Sequence, residues 1–480
     1  MRLFLAASLA LAPLPALAQA EIVWPILAEA GPGTRWGMVV VDSEGHEIVA
    51  IAPEGRFMPA SNTKIFTTAA ALWANAQGSG PDQAASGAQV RLETSRQSNA
   101  PDVVLVGRGD ARMSAAPGCI ADCLATLADA VAARTGAVRN VVGDATLFPD
   151  QRWSPGMSWN NIPSSSGTAI SALGVDDSEI AAIVTPGAAG LPPVVALPAY
   201  FSVENHARTV PGTGETLAFD RLPGTKVLVV TGAIGVFQTP ITWRLGVDDP
   251  ADYAAWRLAE MLRARGVAVT GEVSARYRPL MPEDDPEQRS APPPRRPSGP
   301  AALATLTPPS LSDDVPIINK LSQNLHAELL LRRLGLAAGT GSIADGQAVV
   351  RAMLAEAGVA EAQVSLSDGS GMSTYNRVAP RGMTRLLGWI ARQSWAPQFR
   401  ASLPVGGVDG TMRRRFAGTP LAGRISAKTG TLNATNALAG WLIAASGQTL
   451  TFAIYANDVP NGVAATAIMD RALVALAAAN

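Results

Sequence analysis

Lysine is nearly missing from this 480-residue chain. Of its 38 basic side chains only Lys64, Lys226, Lys320 and Lys428 are lysines, and the other 34 are arginines. Arginine keeps its proton in any protein setting, whereas a lysine ammonium is a compact charge whose pKa falls on burial. A coding bias replaces lysine wherever any surface cation will do, so the four that survive mark where to look. Histidine is scarce too: His46, His206 and His326 stand singly, without metal-ligand spacing, so no metal and no cofactor is expected. Charge of one sign is also missing. The 39 acidic residues leave a net charge of -1 with no run of like charges, which argues against a nucleic-acid partner or a polybasic membrane contact. Cysteine is limited to Cys119 and Cys123, which in an oxidising compartment can close a local disulfide or can stand as two thiols.

What is present sets the scale. With 48% hydrophobic and 16% charged residues the chain can bury large cores. Single cores stop growing near about 250 to 300 residues, so two or more domains are expected. The 45 glycines and 36 prolines suit a loop-rich architecture with many strands. Residues 1–20 read as a secretory signal peptide, with Arg2 as the charged start, an apolar stretch from Leu3 to Leu14, and small residues at Ala16, Ala18 and Ala20 for cleavage. The apolar stretch is short and broken by Pro13 and Pro15. No later segment reaches the ~18 uninterrupted apolar residues of a spanning helix, so an exported protein without a stable membrane span is expected, in the periplasm.

Alternating apolar and polar positions predict a hairpin over 36–52, turning at Asp42-Ser43-Glu44-Gly45. A buried helix is expected over 61–74, a second hairpin over 437–455, and a closing helix over 464–478. Between about 86 and 280 the chain is rich in short β-type runs, with helical stretches at 120–134 and 252–265. A proline-rich surface linker at 282–300 precedes helical periodicity over 315–334 and 343–357.

Three short segments carry the chemistry. Ser61-Asn62-Thr63-Lys64 opens the first helix, where a serine lies near free backbone N–H groups and a lysine three residues on shares its face. Such a lysine, if desolvated, can take the serine proton. Alone the pattern says little, since serine is a common N-cap. Ser322-Gln323-Asn324 stands at the start of an amphipathic helix running through Leu325, Leu329 and Leu330, where an N-cap is the plain alternative. Lys428-Thr429-Gly430-Thr431 lies in a β-prone stretch, its lysine presenting a charge and its glycine admitting a substrate backbone. An ordinary edge strand would look the same.

Taken in this order, the three segments resemble the motif set of the serine β-lactamases and penicillin-binding proteins. With Pro59-Ala60, Ser367-Asp368-Gly369-Ser370-Gly371, Asn376-Arg377-Val378 and Gly406-Gly407-Val408-Asp409-Gly410-Thr411, the chain resembles one family in particular. That family is the D-alanyl-D-alanine carboxypeptidase/endopeptidases, the class C, penicillin-binding protein 4-like, low-molecular-mass penicillin-binding proteins of peptidase family S13. The resemblance implies an α/β multidomain fold: a transpeptidase-like domain of the serine β-lactamase/DD-peptidase type, from residues 21–85 and 301–480, with two small mostly-β domains inserted. Domain II would take 86–170 and 240–281, and domain III 171–239. It implies Ser61 as nucleophile, Lys64 as base, an oxyanion hole from the N–H groups of Ser61 and Thr431, a proton relay through Ser322, and Asn324 holding the substrate amide and Lys64. Lys428 and Thr429 would bind the terminal carboxylate, beside Gly430. The implied partners are peptidoglycan stem peptides, with β-lactams as covalent inhibitors. Some family members recognise the diaminopimelate side chain with an aspartate and an arginine; here those positions hold Asn161 and Thr374. A β-lactamase and a non-catalytic cell-wall scaffold of the same fold are the alternative readings.

Overall fold

The computed structural model describes residues 16–82, 87–94, 99–292, 300–308 and 310–480. Most of the signal-peptide reading, residues 1–15, lies outside the described residues, as do 293–299 of the proline-rich stretch. The first hairpin forms as β1 (Arg35–Val41) and β2 (Glu47–Ile51). Near the other end β3 (Ile425–Leu432), β4 (Thr435–Ile443) and β5 (Thr449–Asn457) complete an antiparallel sheet in the order β2-β1-β5-β4-β3.

Helices α1 (Ala16–Ala28), α2 (Thr63–Ala76), α3 (Leu311–Lys320), α4 (Asn324–Ala338), α5 (Ile343–Glu356), α6 (Pro380–Ile390) and α7 (Ala465–Ala479) flank this sheet. Both faces are covered, which explains why β4 and β5 read as continuous apolar runs. Ala437, Ala439 and Trp441 pack into one core with α2 to α6; Leu438 and Leu442, one residue out of step, pack into the other with α1 and α7. Among the described residues no helix is long and apolar enough to cross a membrane.

The intervening chain is mostly β. Strands at 273–278, 141–149, 102–106, 89–93 and 304–305 form one five-stranded sheet in that order, backed by helices at 124–132 and 250–264. A smaller sheet pairs 179–185 with 194–196 and with 241–246, so strands from both sides of the expected boundary at 239/240 share it.

Three expectations change. The helix expected from Ile120 begins only at Leu124, because Cys119 and Cys123 are disulfide-bonded across a loop in which Asp122 is left-handed and Cys123 extended. The stretch before residue 293 is not a free linker: Arg278 pairs with the buried Asp284, and Arg289 with Asp345. The periodicity over 315–334 hides a break. α3 ends at Lys320 and α4 starts at Asn324, with Ser322 at φ 61° between them. The pattern runs on across the break because α4 is not amphipathic but buried on two sides. Leu325 and Leu329 enter the core of the intervening region, while Leu330, Leu331 and Leu334 enter that of the sheet domain.

Candidate active site

Ser61 lies in a 3₁₀ turn, Ala60–Asn62, that runs directly into α2. Two glycines let the turn be gripped from both sides. A Cβ on Gly371 (φ 90°) would stand 1.9 Å from Ala60 O, and one on Gly430 would stand 2.5 Å from Pro59 O and 3.1 Å from Ser61 N. The backbone that Gly430 admits is therefore the chain's own, which corrects the expectation of a substrate approach at that atom. Asn62 fastens the same contact, its Nδ2 donating to Lys428 O at 2.7 Å.

One turn along α2, the wholly buried Lys64 Nζ lies 3.0 Å from Ser61 Oγ, 2.6 Å from Asn324 Oδ1 and 2.7 Å from Ser370 O. Two of these three neighbours are carbonyl oxygens and can only accept. A neutral amine satisfies the whole set, with two N–H donors for the carbonyls and its lone pair for the serine hydroxyl. Burial lowers the Lys64 pKa to about 7, against the opposing pull of Asp368 and Glu328.

The second and third segments meet here as well. Lys428 Nζ, also fully buried, donates to Ser322 Oγ at 2.9 Å and to Thr429 O at 3.0 Å, and burial, then the charge of Lys64, hold it well below the usual lysine range. Ser322 does not cap α4; its left-handed backbone turns the hydroxyl to Lys428, and the Gln323 side chain caps instead, accepting from Leu325 N at 3.2 Å. In β3, Ile425 O and Ala427 N bond the 404–406 segment. Odd-numbered residues thus turn their backbone groups away from β4, and Thr429 and Thr431 continue that outward set along the open edge beside Ser61. The Thr429 hydroxyl meets that of Thr411 at 2.7 Å.

Sequence reasoning assigned no role to the supports. Asp368 Oδ1 accepts from Gly371 N and Asn376 Nδ2, and its Oδ2 accepts from Ser373 N. Glu328 Oε1 accepts from the N–H groups of Gly369 and Ser370 at 2.9 Å each. Together they aim Ser370 O at Lys64. A carboxylate four residues after Asn324, within an otherwise leucine-rich helix, was the available signal for Glu328. Asn161 and Thr374 do not form a charged pair: the Thr374 hydroxyl and N–H both bond Gly156 O, and Asn161 O accepts from Ser164.

A family model described as the D-Ala-D-Ala carboxypeptidase 3 (S13) family matches residues 22–480. The chain belongs to that family. It is 34% identical over 469 residues to a D-alanyl-D-alanine carboxypeptidase of Actinomadura sp., covering 93% of this chain and 81% of the relative. It is 28% identical over 237 residues to D-alanyl-D-alanine carboxypeptidase DacB of Haemophilus influenzae, covering 48% of this chain and 46% of that one. Among solved structures, penicillin binding protein 4 from H. influenzae superposes with a TM-score of 0.75 at 20% identity, covering 96% of this chain and 98% of the other. A second structure of that protein, complexed with a novel β-lactam, gives 0.69 at 21% identity over the same shares. The shared fold is thus that of a multidomain DD-peptidase, and the chain is a member of a family of serine carboxypeptidases.

Proposed function

We propose that this protein is a periplasmic, penicillin-sensitive serine DD-peptidase that cleaves peptidoglycan stem peptides through an acyl-enzyme on Ser61, as carboxypeptidase, endopeptidase or both. The observation that carries the reading is Lys64 Nζ, buried, shifted toward neutrality and 3.0 Å from Ser61 Oγ. Ser61 Oγ attacks the carbonyl carbon of the penultimate D-alanine as its proton passes to Lys64. The outward N–H of Thr431 and the N–H of Ser61 hold the oxyanion, each such donor being worth about 3 to 4 kcal/mol of barrier. Collapse breaks the C–N bond, and the leaving amine takes its proton through Ser322, which Lys428 orients. Lys428 and Thr429 receive the terminal carboxylate of the substrate. Water then releases the acyl group.

Penicillin sensitivity is supported by a relative named penicillin-sensitive carboxypeptidase A and by the β-lactam complex of the structural neighbour. The periplasmic assignment rests on the leader-like residues 1–20 and on the bonded cysteines. The test is labelling with a fluorescent penicillin, comparing wild type with Ser61→Ala, followed by digestion of cross-linked muropeptides. Ser61-dependent labelling and release of D-alanine or of monomers are expected. Absence of that labelling refutes the catalytic assignment, and rapid turnover of a chromogenic cephalosporin would make the protein a β-lactamase instead.

A further inference from the structure

We propose that His326, clamped as an imidazolium between Asp314 and Asp177, is a positioning residue that holds Ser322 and Asn324 against Lys428 and Lys64. The proposal rests on the acyl-enzyme reading above and adds to it a role for the intervening region.

His326 lies two residues past Asn324 on α4 and is 2% exposed. Its Nδ1 is 2.5 Å from Asp314 Oδ1 on α3, and its Nε2 is 2.9 Å from Asp177 Oδ1 in the intervening region. A carboxylate oxygen at each ring nitrogen is satisfied on both sides only when both nitrogens carry hydrogen. Burial alone would lower the imidazole pKa, but the hydrogen bonds that the ring donates to Asp177 and Asp314 carry it up to about 9.

Asp177 reaches His326 from an unusual backbone. Asp176, Asp177 and Ser178 are all left-handed, at φ 52°, 57° and 50°. L-residues avoid that region, and such runs persist where the surroundings over-determine them, often at functional sites. Here Asp176 Oδ1 accepts from Ser114 Oγ and Ala115 N at 2.8 Å each, and Ser178 O accepts from Thr168 Oγ1. The turn is fixed to the intervening region and delivers its middle carboxylate to α4.

The clamp matters because Ser322 lies in the short break between α3 and α4 and Asn324 is the first residue after it. Three residues alone do not fix how two helices sit. His326 ties α3, α4 and the intervening region at one point, and the Gln323 amide, between the two motif residues, faces Asp177 and Glu179. The charged groups around the imidazole are Asp314 from α3 and Asp177 from the turn; behind Asp177 lie Glu179 from 179–185 and Arg244 from 241–246. Loss of the imidazolium proton takes the imidazole donor from one of the two carboxylates and frees the break. The clamp thus sets the alkaline limb of acylation, as Lys64 sets the acid limb.

The test measures the rate of fluorescent-penicillin attachment between pH 6 and 10, with the thermal midpoint, for wild type, Asp177→Asn and His326→Gln. Asparagine tolerates a left-handed backbone and keeps an acceptor for Nε2–H, but it removes the charge. The alkaline limb of Asp177→Asn should move down by about one pH unit or more. His326→Gln should acylate about 10- to 100-fold more slowly. Burial and the charge of Lys64, with no part from Asp177, hold the Lys428 pKa down, so Lys428 does not account for the Asp177→Asn shift. An alkaline limb unmoved in Asp177→Asn overturns the proposal, and that variant decides alone if His326→Gln fails to fold. A wild type without Ser61-dependent labelling overturns the catalytic reading itself, which is a different result.

Discussion

Replacing Lys64 with arginine keeps a cation one turn from Ser61 and removes the base that touches the serine hydroxyl. With the lysine pKa brought to about 7 by burial, about half the molecules carry a neutral amine at pH 7 and about one in a hundred at pH 5. Wild-type acylation should therefore fall about tenfold per pH unit below 7. Arginine, with a pKa above about 12, offers a neutral fraction below roughly 10⁻⁵ at pH 7. General base catalysis contributes about 10²- to 10⁴-fold, or about 3 to 5.5 kcal/mol of barrier, and Lys64→Arg should lose that much. Lys428→Arg is the control. It also overpacks a fully buried site, so its rate should drop, but it keeps a cation for the carboxylate and leaves Lys64 in place. Its residual acylation should retain the acid limb near pH 7. The assay is the rate of fluorescent-penicillin attachment from pH 5 to 9, with thermal midpoints to exclude unfolding. Acylation by Lys64→Arg within tenfold of wild type, or the same loss of the acid limb in both variants, would refute this division of roles.

Three further outcomes follow from the geometry. Gly430→Ala sets a Cβ against Pro59 O and Ser61 N, so labelling should fall by about 100-fold and stability by about 1 to 3 kcal/mol in urea unfolding; unchanged labelling would contradict the close packing of β3 on the Ser61 turn. Glu328→Gln removes a charge that raises the Lys64 pKa, so the acid limb of acylation should move to lower pH, and a shift upward would show that the sign is wrong. Replacing Cys119 and Cys123 with serine opens a five-residue loop, which by chain entropy should cost about 2 kcal/mol in the same unfolding measurement.

What was legible in the sequence was local or strongly patterned. Ser61 and Lys64 meet across one helical turn, and the hairpins announce themselves by apolar runs around turn residues. Part of the support was hidden because it acts through atoms every residue has: Ser370 O and Ser166 O bond Lys64 and Asn324 as backbone carbonyls, from positions 306 and 158 residues away. No residue type marks a carbonyl. The break at Ser322 was hidden for another reason, since burying α4 between two cores preserves an apolar period through a change of helix.

The scarcity of lysine needs the same discrimination. Lys64 and Lys428 are buried with lowered pKa values, a state arginine cannot reach by giving up its proton. Lys320 pairs with Asp409, in the loop that carries Thr411 to Thr429, and so supports the site through a charge alone. Lys226 pairs with Asp252 and lies 3.9 Å over the Tyr200 ring, contacts that an arginine makes equally well. Survival against a coding bias therefore points to a residue without proving its chemistry. What separates the two active-site lysines from Lys226 is full burial against a motif serine, Lys64 on Ser61 and Lys428 on Ser322. By that measure Lys226→Arg should leave penicillin acylation and its pH profile unchanged, and a moved acid limb in that variant would mean that lysine itself, rather than its burial at the site, is what the chain has kept.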